Sequence, residues 1–181
     1  MEEKLEGLLN NRFDPKTDSP GKLPDTAGAY LISVKNIDAL PDLMKELKFK
    51  TVEGLPVIYV GIAGRPTSKV KSLRKRDYRT HFNGTARRST LRKSLGVLFD
   101  FEKEFENRES NSKYKFIRSQ EEQLTEWMKE NLVMNFMAIE RPMEFERFMI
   151  MKYEPPLNLT DNHSETNREF RQELKRLRVV R

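Results

Sequence analysis

Two short runs of β-branched and aromatic residues constrain this fold more than any other feature of the chain. They are GAYLISV at residues 28–34 and VIYVGIA at residues 57–63. Each is bounded by glycine or proline and has the length of one strand. Between them, Leu40, Leu43, Met44 and Leu47 recur at helical spacing, which predicts a helix over residues 38–49. A long connection therefore separates two strands that can still pair. A third run, NFMAIER at residues 135–141, ends at Pro142 and reads as one more strand. So few strands among so many helical segments indicate an α+β chain, and 181 residues suit a single core.

The helical segments announce themselves by caps and apolar spacing. Residues 2–9 carry Leu5, Leu8 and Leu9 on one side, and the stretch from Asn10 to Thr26, with Pro15, Pro20, Gly21 and Pro24, reads as an irregular arm. Ser68 is placed to cap a helix with Val70 and Leu73 that stops at Asn83-Gly84, and Ser89 to cap a short helix through Leu91 and Leu95. Residues 121–131 are helical, with Leu124, Trp127 and Met128 as the buried face. In residues 144–153, Phe145, Phe148, Met149 and Tyr153 face inward. Pro155 and Pro156 break the chain, and a basic amphipathic helix with Phe170, Leu174 and Leu177 follows Thr166. The expected division is an arm at 1–27, a main domain at 28–162 and a basic helical tail at 163–181.

Composition removes several chemistries. With no cysteine the chain has no thiol nucleophile, disulfide or thiolate zinc site, and two histidines leave little for a His-rich metal centre. No apolar run approaches a membrane span, and the first residues lack the pattern of a signal peptide, so the expected location is cytoplasmic. The net charge of +6 is unevenly placed. From Arg65 to Lys93, eleven basic residues face Asp77 alone, whereas residues 100–146 hold twelve acids against seven bases. A basic run of this density displaces counterions from a phosphate backbone, and on its own it also describes a solvated helix face.

Five features follow one another along the chain: GAY at Gly28 to Tyr30, YVG at Tyr59 to Gly61, an arginine-bearing segment ending in His81, Glu146 within a helix, and Asn158 after the proline pair. This order resembles the GIY-YIG nuclease family over residues 28–162, and ERFMIMKYEPPLN at residues 146–158 is its most specific part. The resemblance implies a small antiparallel sheet of about three strands flanked by helices. It also implies a metal-dependent endonuclease that hydrolyses DNA phosphodiester bonds, with Mg²⁺ or Mn²⁺ held by Glu146.

The resemblance makes Tyr59 the general base, with Tyr30 beside it across the paired strands and His81 and Tyr30 orienting water and phosphate. Such residues suit the reaction: arginine supplies fixed donors to phosphoryl oxygens, and one carboxylate can hold a hydrated hard cation. Asn158 is expected to act partly as a structural residue. The family places its arginine four residues before a His or Tyr, and here the residue four before His81 is Asp77. Two registers stay open, Arg76 with His81, which needs one extra residue accommodated, or Arg74 with Tyr78. A lysine that some members carry after the second motif is replaced by Ile62.

For the DNA backbone the candidates are Lys69, Lys71, Arg79, Arg87, Arg88 and Arg92, with Arg88, Ser89 and Arg92 able to position phosphate at a helix start. Arg168, Arg171, Lys175, Arg176 and Arg178 extend the track. The chain is expected to act as a homodimer or with a partner protein. Two rival readings remain: a catalytically inactive nucleic-acid-binding protein on the same scaffold, and an interaction module whose basic patch meets an acidic protein.

Overall fold

The computed structural model describes residues 1–65, 71–105 and 113–179. In chain order its elements are α1 (Glu2–Leu9), β1 (Arg12–Phe13), β2 (Gly28–Val34), α2 (Asp42–Lys45), β3 (Thr51–Val52) and β4 (Leu55–Ala63), followed by a π-helix (Arg74–Phe82). The second half holds α3 (Thr90–Leu98), β5 (Lys103–Phe105), β6 (Tyr114–Phe116), α4 (Arg118–Asn131), β7 (Leu132–Ala138), α5 (Met143–Tyr153) and α6 (Arg168–Val179).

The three strands legible in the sequence are the centre of the sheet, with β2 antiparallel to β4 on one side and to β7 on the other. Among the described residues the sheet nevertheless has five strands, in the order β1-β7-β2-β4-β3, so the expected count of about three is corrected. The two additions are two-residue edge strands, too short for any alternation to show. β3 and β4 form a hairpin whose turn residues Glu53 and Gly54 both have positive φ, the geometry that matches strand twist. β5 and β6 form a separate hairpin.

β2 is buried along its whole length because both faces of the sheet are covered. Tyr30, Ile32 and Val34 point to one side, where Leu73, Leu91, Leu95, Leu124 and Leu174 pack on them. Ala29 and Leu31 point to the other, against Leu5 and Leu8 of α1 and Phe145, Met149 and Ile150 of α5. The two terminal segments that the sequence sets apart share this core: Phe13 of β1 and Leu174 of α6 are fully buried.

Several expected elements differ in detail. The helix predicted over residues 38–49 is a short 3-10 turn at Ile37–Ala39 followed by the four residues of α2, because Pro41 interrupts the backbone hydrogen-bond ladder. The basic helix predicted from Ser68 is the π-helix; Ser68, Val70 and Lys69 lie outside the described residues. β7 begins at Leu132, three residues before its expected start, and α3 is capped by Ser89 as anticipated. Among the described residues no helix is long and apolar enough to cross a membrane.

Candidate active site

The β2–β4 pair builds the floor of the site. Tyr30 lies directly opposite Gly61, and a Cβ on Gly61 would sit 2.3 Å from the Tyr30 hydroxyl oxygen. Glycine in YVG is therefore what lets the Tyr30 ring lie across β4. Tyr59 presents its ring on the same face, 6.3 Å from that of Tyr30 between centroids. Tyr30 is fully buried, whereas Tyr59 reaches the wall of a cleft of about 370 Å³ and its hydroxyl pairs with Thr90 Oγ1 at 3.0 Å.

The π-helix supplies the second wall and separates the two candidate arginines by position. In a helix closed by i to i+5 bonds, residues five apart lie near one another on the surface, so Arg76 and His81 share a side without any insertion. Such widened turns recur at functional sites. Arg76 lines the cleft with Tyr59. Arg74 faces away: its Nε donates to Leu23 O at 2.9 Å and its Nη2 to Gly21 O at 3.4 Å, which ties the helix to the N-terminal arm.

Behind the cleft, His81 is fully buried between Tyr30 and Ser89. Its Nε2 lies 2.7 Å from the Tyr30 hydroxyl and its Nδ1 2.6 Å from Ser89 Oγ. Burial, followed by the cations of Arg76 and Arg92, pushes the His81 pKa well down and keeps the ring neutral. A neutral ring has one donor and one acceptor, and the bonds are all satisfied when Tyr30 donates to Nε2 and Nδ1–H donates to Ser89. Ser89 Oγ also accepts the Arg92 amide as the α3 cap, at 3.1 Å. Burial and then Asp77 raise the Tyr30 pKa well above its usual value. Tyr30 and His81 thus do not reach a ligand in the cleft, which corrects their expected contact with water and phosphate.

Arg76 is held by this buried group. Its guanidinium lies beside the Tyr30 hydroxyl and donates from Nη1 to Arg88 O at 3.4 Å. Burial opposes its charge, but Tyr30, Tyr59 and Asp77 outweigh burial and raise its pKa. Among the described residues no carboxylate makes an ion pair with it, and its buried Nε has no hydrogen-bond partner. Asp77, fully buried next to it, has no hydrogen-bond partner at either carboxyl oxygen, with His81 Nε2 4.0 Å from Oδ1, and burial pushes its pKa well up against the opposing pull of Arg76.

Across the cleft, Glu146 is only 5% exposed. A lone glutamate on a helix would ordinarily point to solvent. Here its Oε2 accepts from Arg65 Nη2 at 2.5 Å, burial raises its pKa, Arg65 draws it back and Asp161 adds a smaller upward push. Asn158 completes the wall in a structural manner. Its Oδ1 accepts the Val60 amide at 2.8 Å and its Nδ2 donates to Val60 O at 2.9 Å, pairing β4 where β3 does not cover it.

The basic candidates separate by burial. Lys71, Arg79, Arg87 and Arg88 are exposed, and Lys71 Nζ donates to Arg65 O at 2.7 Å. Arg92 is fully buried, its Nη2 2.7 Å and its Nε 3.0 Å from Glu121 Oε2, and Ser89 is buried beside it. Neither can meet a phosphate backbone, so those two assignments are corrected: the guanidinium neutralises a buried carboxylate. Lys69 lies outside the described residues. Sequence reasoning missed Arg65, Thr90 and Asp161 at the cleft. The signals were faint: Thr90 follows the helix cap, Arg65 opens the basic run, and Asp161 lies three residues past Asn158.

The cleft therefore joins a tyrosine hydroxyl, an arginine that no carboxylate among the described residues pairs with, and a buried glutamate, an arrangement suited to an anionic group. Among the described residues no three His, Cys, Asp or Glu side chains gather as metal ligands. One carboxylate with a second nearby fits a hard cation that keeps most of its waters, and does not fit zinc. Comparison with curated proteins and with solved structures returned no match. A family model described as the GIY-YIG catalytic domain matches residues 28–180. The two strand motifs, the arginine-bearing helix and the Glu146 helix all fall within that match, and the chain belongs to the GIY-YIG family of nucleases.

Proposed function

We propose that the chain is a divalent-metal-dependent DNA endonuclease. The observation that carries the reading is the convergence of Tyr59, Arg76 and Glu146 on one cleft from three separate elements. A phosphodiester in that cleft would meet the Arg76 guanidinium, whose unpaired Nε and fixed charge counter the charge that builds on the phosphoryl oxygens during in-line attack. Tyr59 acts in its phenolate form, with the Thr90 hydroxyl donating to its oxygen, and takes the proton of the attacking water to become the neutral phenol. Tyr30 and His81 act as positioning residues, since they fix Arg76 from behind without touching the substrate.

Glu146 is the carboxylate that would hold Mg²⁺ or Mn²⁺, with Asp161 adding negative field. When bound, the ion supplies charge neutralisation and stabilises the leaving oxygen. To serve in this way Glu146 must exchange Arg65 for the ion, and a phosphate in the cleft offers Arg65 a new partner.

The test is plasmid nicking with Mg²⁺, with EDTA, and with Glu146→Gln, whose fold is checked by circular dichroism. Nicking by the wild type should stop in EDTA and fall on the order of 100-fold in the variant. Equal behaviour of wild type and variant on several DNA forms defeats the catalytic reading. The rival, a binder that does not cleave, draws on the Arg65–Glu146 ion pair that already occupies the carboxylate. It predicts DNA binding without nicking under every metal condition.

A further inference from the structure

The basic residues of α6 are not equivalent. Arg168 pairs with Glu165 at 3.1 Å and Arg176 with Glu173 at 2.5 Å, both at the surface. Arg171 is buried, and its guanidinium donates to the backbone carbonyls of Ser164 and Thr166. Lys175 and Arg178 remain, neither paired with a carboxylate among the described residues.

These two lie on the side of α6 that turns toward the cleft. Arg178 lines the cleft that holds Tyr59, Arg76 and Glu146. It also lines an adjoining cavity of about 310 Å³ whose other cations are Lys93 and Lys175, and no carboxylate among the described residues lines that cavity. Leu159 and Thr160 line both hollows, so the two lie side by side. α6 is packed onto α3, which carries Lys93, and Leu174 anchors it in the core, so the three cations are presented by fixed elements.

The crowding of like charges points to an anion. Lys93, half-buried with its Nζ 5.1 Å from the centre of the Tyr114 ring, has its pKa lowered first by burial and then by Arg178. Holding Lys175 and Arg178 at one cavity with no carboxylate partner for either among the described residues costs free energy in the free protein, and a phosphate between them recovers it.

We infer that Lys93, Lys175 and Arg178 form a phosphate subsite next to the scissile position, where the backbone of the cleaved DNA strand leaves the catalytic cleft. This rests on the endonuclease reading and adds to it a strand path, running from Arg76 past Thr160 to the last turns of α6. The subsite recognises backbone charge and leaves base sequence unread.

The experiment measures binding of a short DNA duplex by fluorescence anisotropy across a range of salt concentrations, for wild type and two double variants. Lys175→Gln/Arg178→Gln removes the subsite cations of α6. Arg168→Gln/Arg176→Gln removes the same charge from the same helix at positions already paired with acids. Thermal melting confirms that both are folded, and neither touches Leu174 or Leu177. The subsite variant should lose about two from the slope of log K against log salt, close to one per phosphate contact, while the control keeps the wild-type slope. Equal slope losses in both variants, or none in either while the wild type binds, overturn the subsite and leave the endonuclease reading standing. A wild type without salt-dependent binding overturns both.

Discussion

Arg76 and Arg92 arise from the same basic run, sixteen positions apart, and both are withdrawn from water, yet their surroundings differ. Around Arg92 every charge is answered. Glu121 Oε2 meets two guanidinium nitrogens, Glu121 Oε1 accepts the amides of Ala86 and Phe116, and Thr125 Oγ1 and His81 O take the remaining donor. Around Arg76 the neighbours are a phenol, a carbonyl and a buried carboxyl that accepts nothing from it. A compensated buried cation fixes structure, whereas an uncompensated cation at the edge of a cleft is kept for an anion that arrives later.

The sharpest break in this comparison comes from Arg92. Arg92→Ala leaves Glu121 buried without its cation and should cost about 3–5 kcal/mol, seen as a melting temperature lower by roughly 10 °C. DNA nicking per folded molecule should stay near wild type. Arg92→Met/Glu121→Gln, which removes both charges and keeps one acceptor oxygen for the two amides, should recover much of the loss. If Arg92→Ala instead melts normally and fails to nick, the two arginines have been assigned to each other's roles.

Arg76 should show the converse pattern. Arg76→Ala should lower the nicking rate by about 100-fold to 1,000-fold, the usual effect of losing one donor to a developing phosphoryl charge, with little change in melting. Arg76→Lys should not restore the rate, because an ammonium does not present the planar donors. Arg74→Ala, in the other register the sequence allows, should leave the rate within a few-fold and cost on the order of 1 kcal/mol through its bonds to Leu23 O and Gly21 O. A large rate loss at Arg74 would reverse the register that the π-helix sets.

What the sequence revealed and what it hid follow from the same distinction. β2 and α5 were legible because their apolar periodicities match their elements over their full length, Gly28–Val34 and Met143–Tyr153. Glu146 and Tyr59 were legible as members of an ordered motif. Arg92 was misplaced because a charge count sees only neighbours along the chain, and its partner Glu121 is 29 positions away. The arginine register was undecidable because helical reasoning assumes 3.6 residues per turn and the segment Arg74–Phe82 is wider. The edge strands β1 and β3, two residues each, hold too little pattern to be read.

Asp77 tests the comparison at its finest grain, because an ionised Asp77 would be to Arg76 what Glu121 is to Arg92. Its folded pKa is raised well above the usual 3.8 by burial, so the folded chain keeps a proton that the unfolded chain loses. Its favourable contribution is complete below pH 3.8 and is lost as pH rises toward the folded value. Asp77→Asn has the same shape and no proton to lose. It should therefore gain on the wild type as pH rises from 3.8 toward the folded value, by up to about 1.4 kcal/mol per pH unit, and the gain should level off above it. His81 acts with the opposite sign, since its lowered pKa removes stability as pH falls below about 6.5, but both proteins share it and it cancels in the difference. Paired denaturant titrations from pH 5 to pH 8 measure that difference. An asparagine variant that loses ground as pH rises would mean that Asp77 is charged and compensates Arg76, and the distinction between the two arginines would collapse.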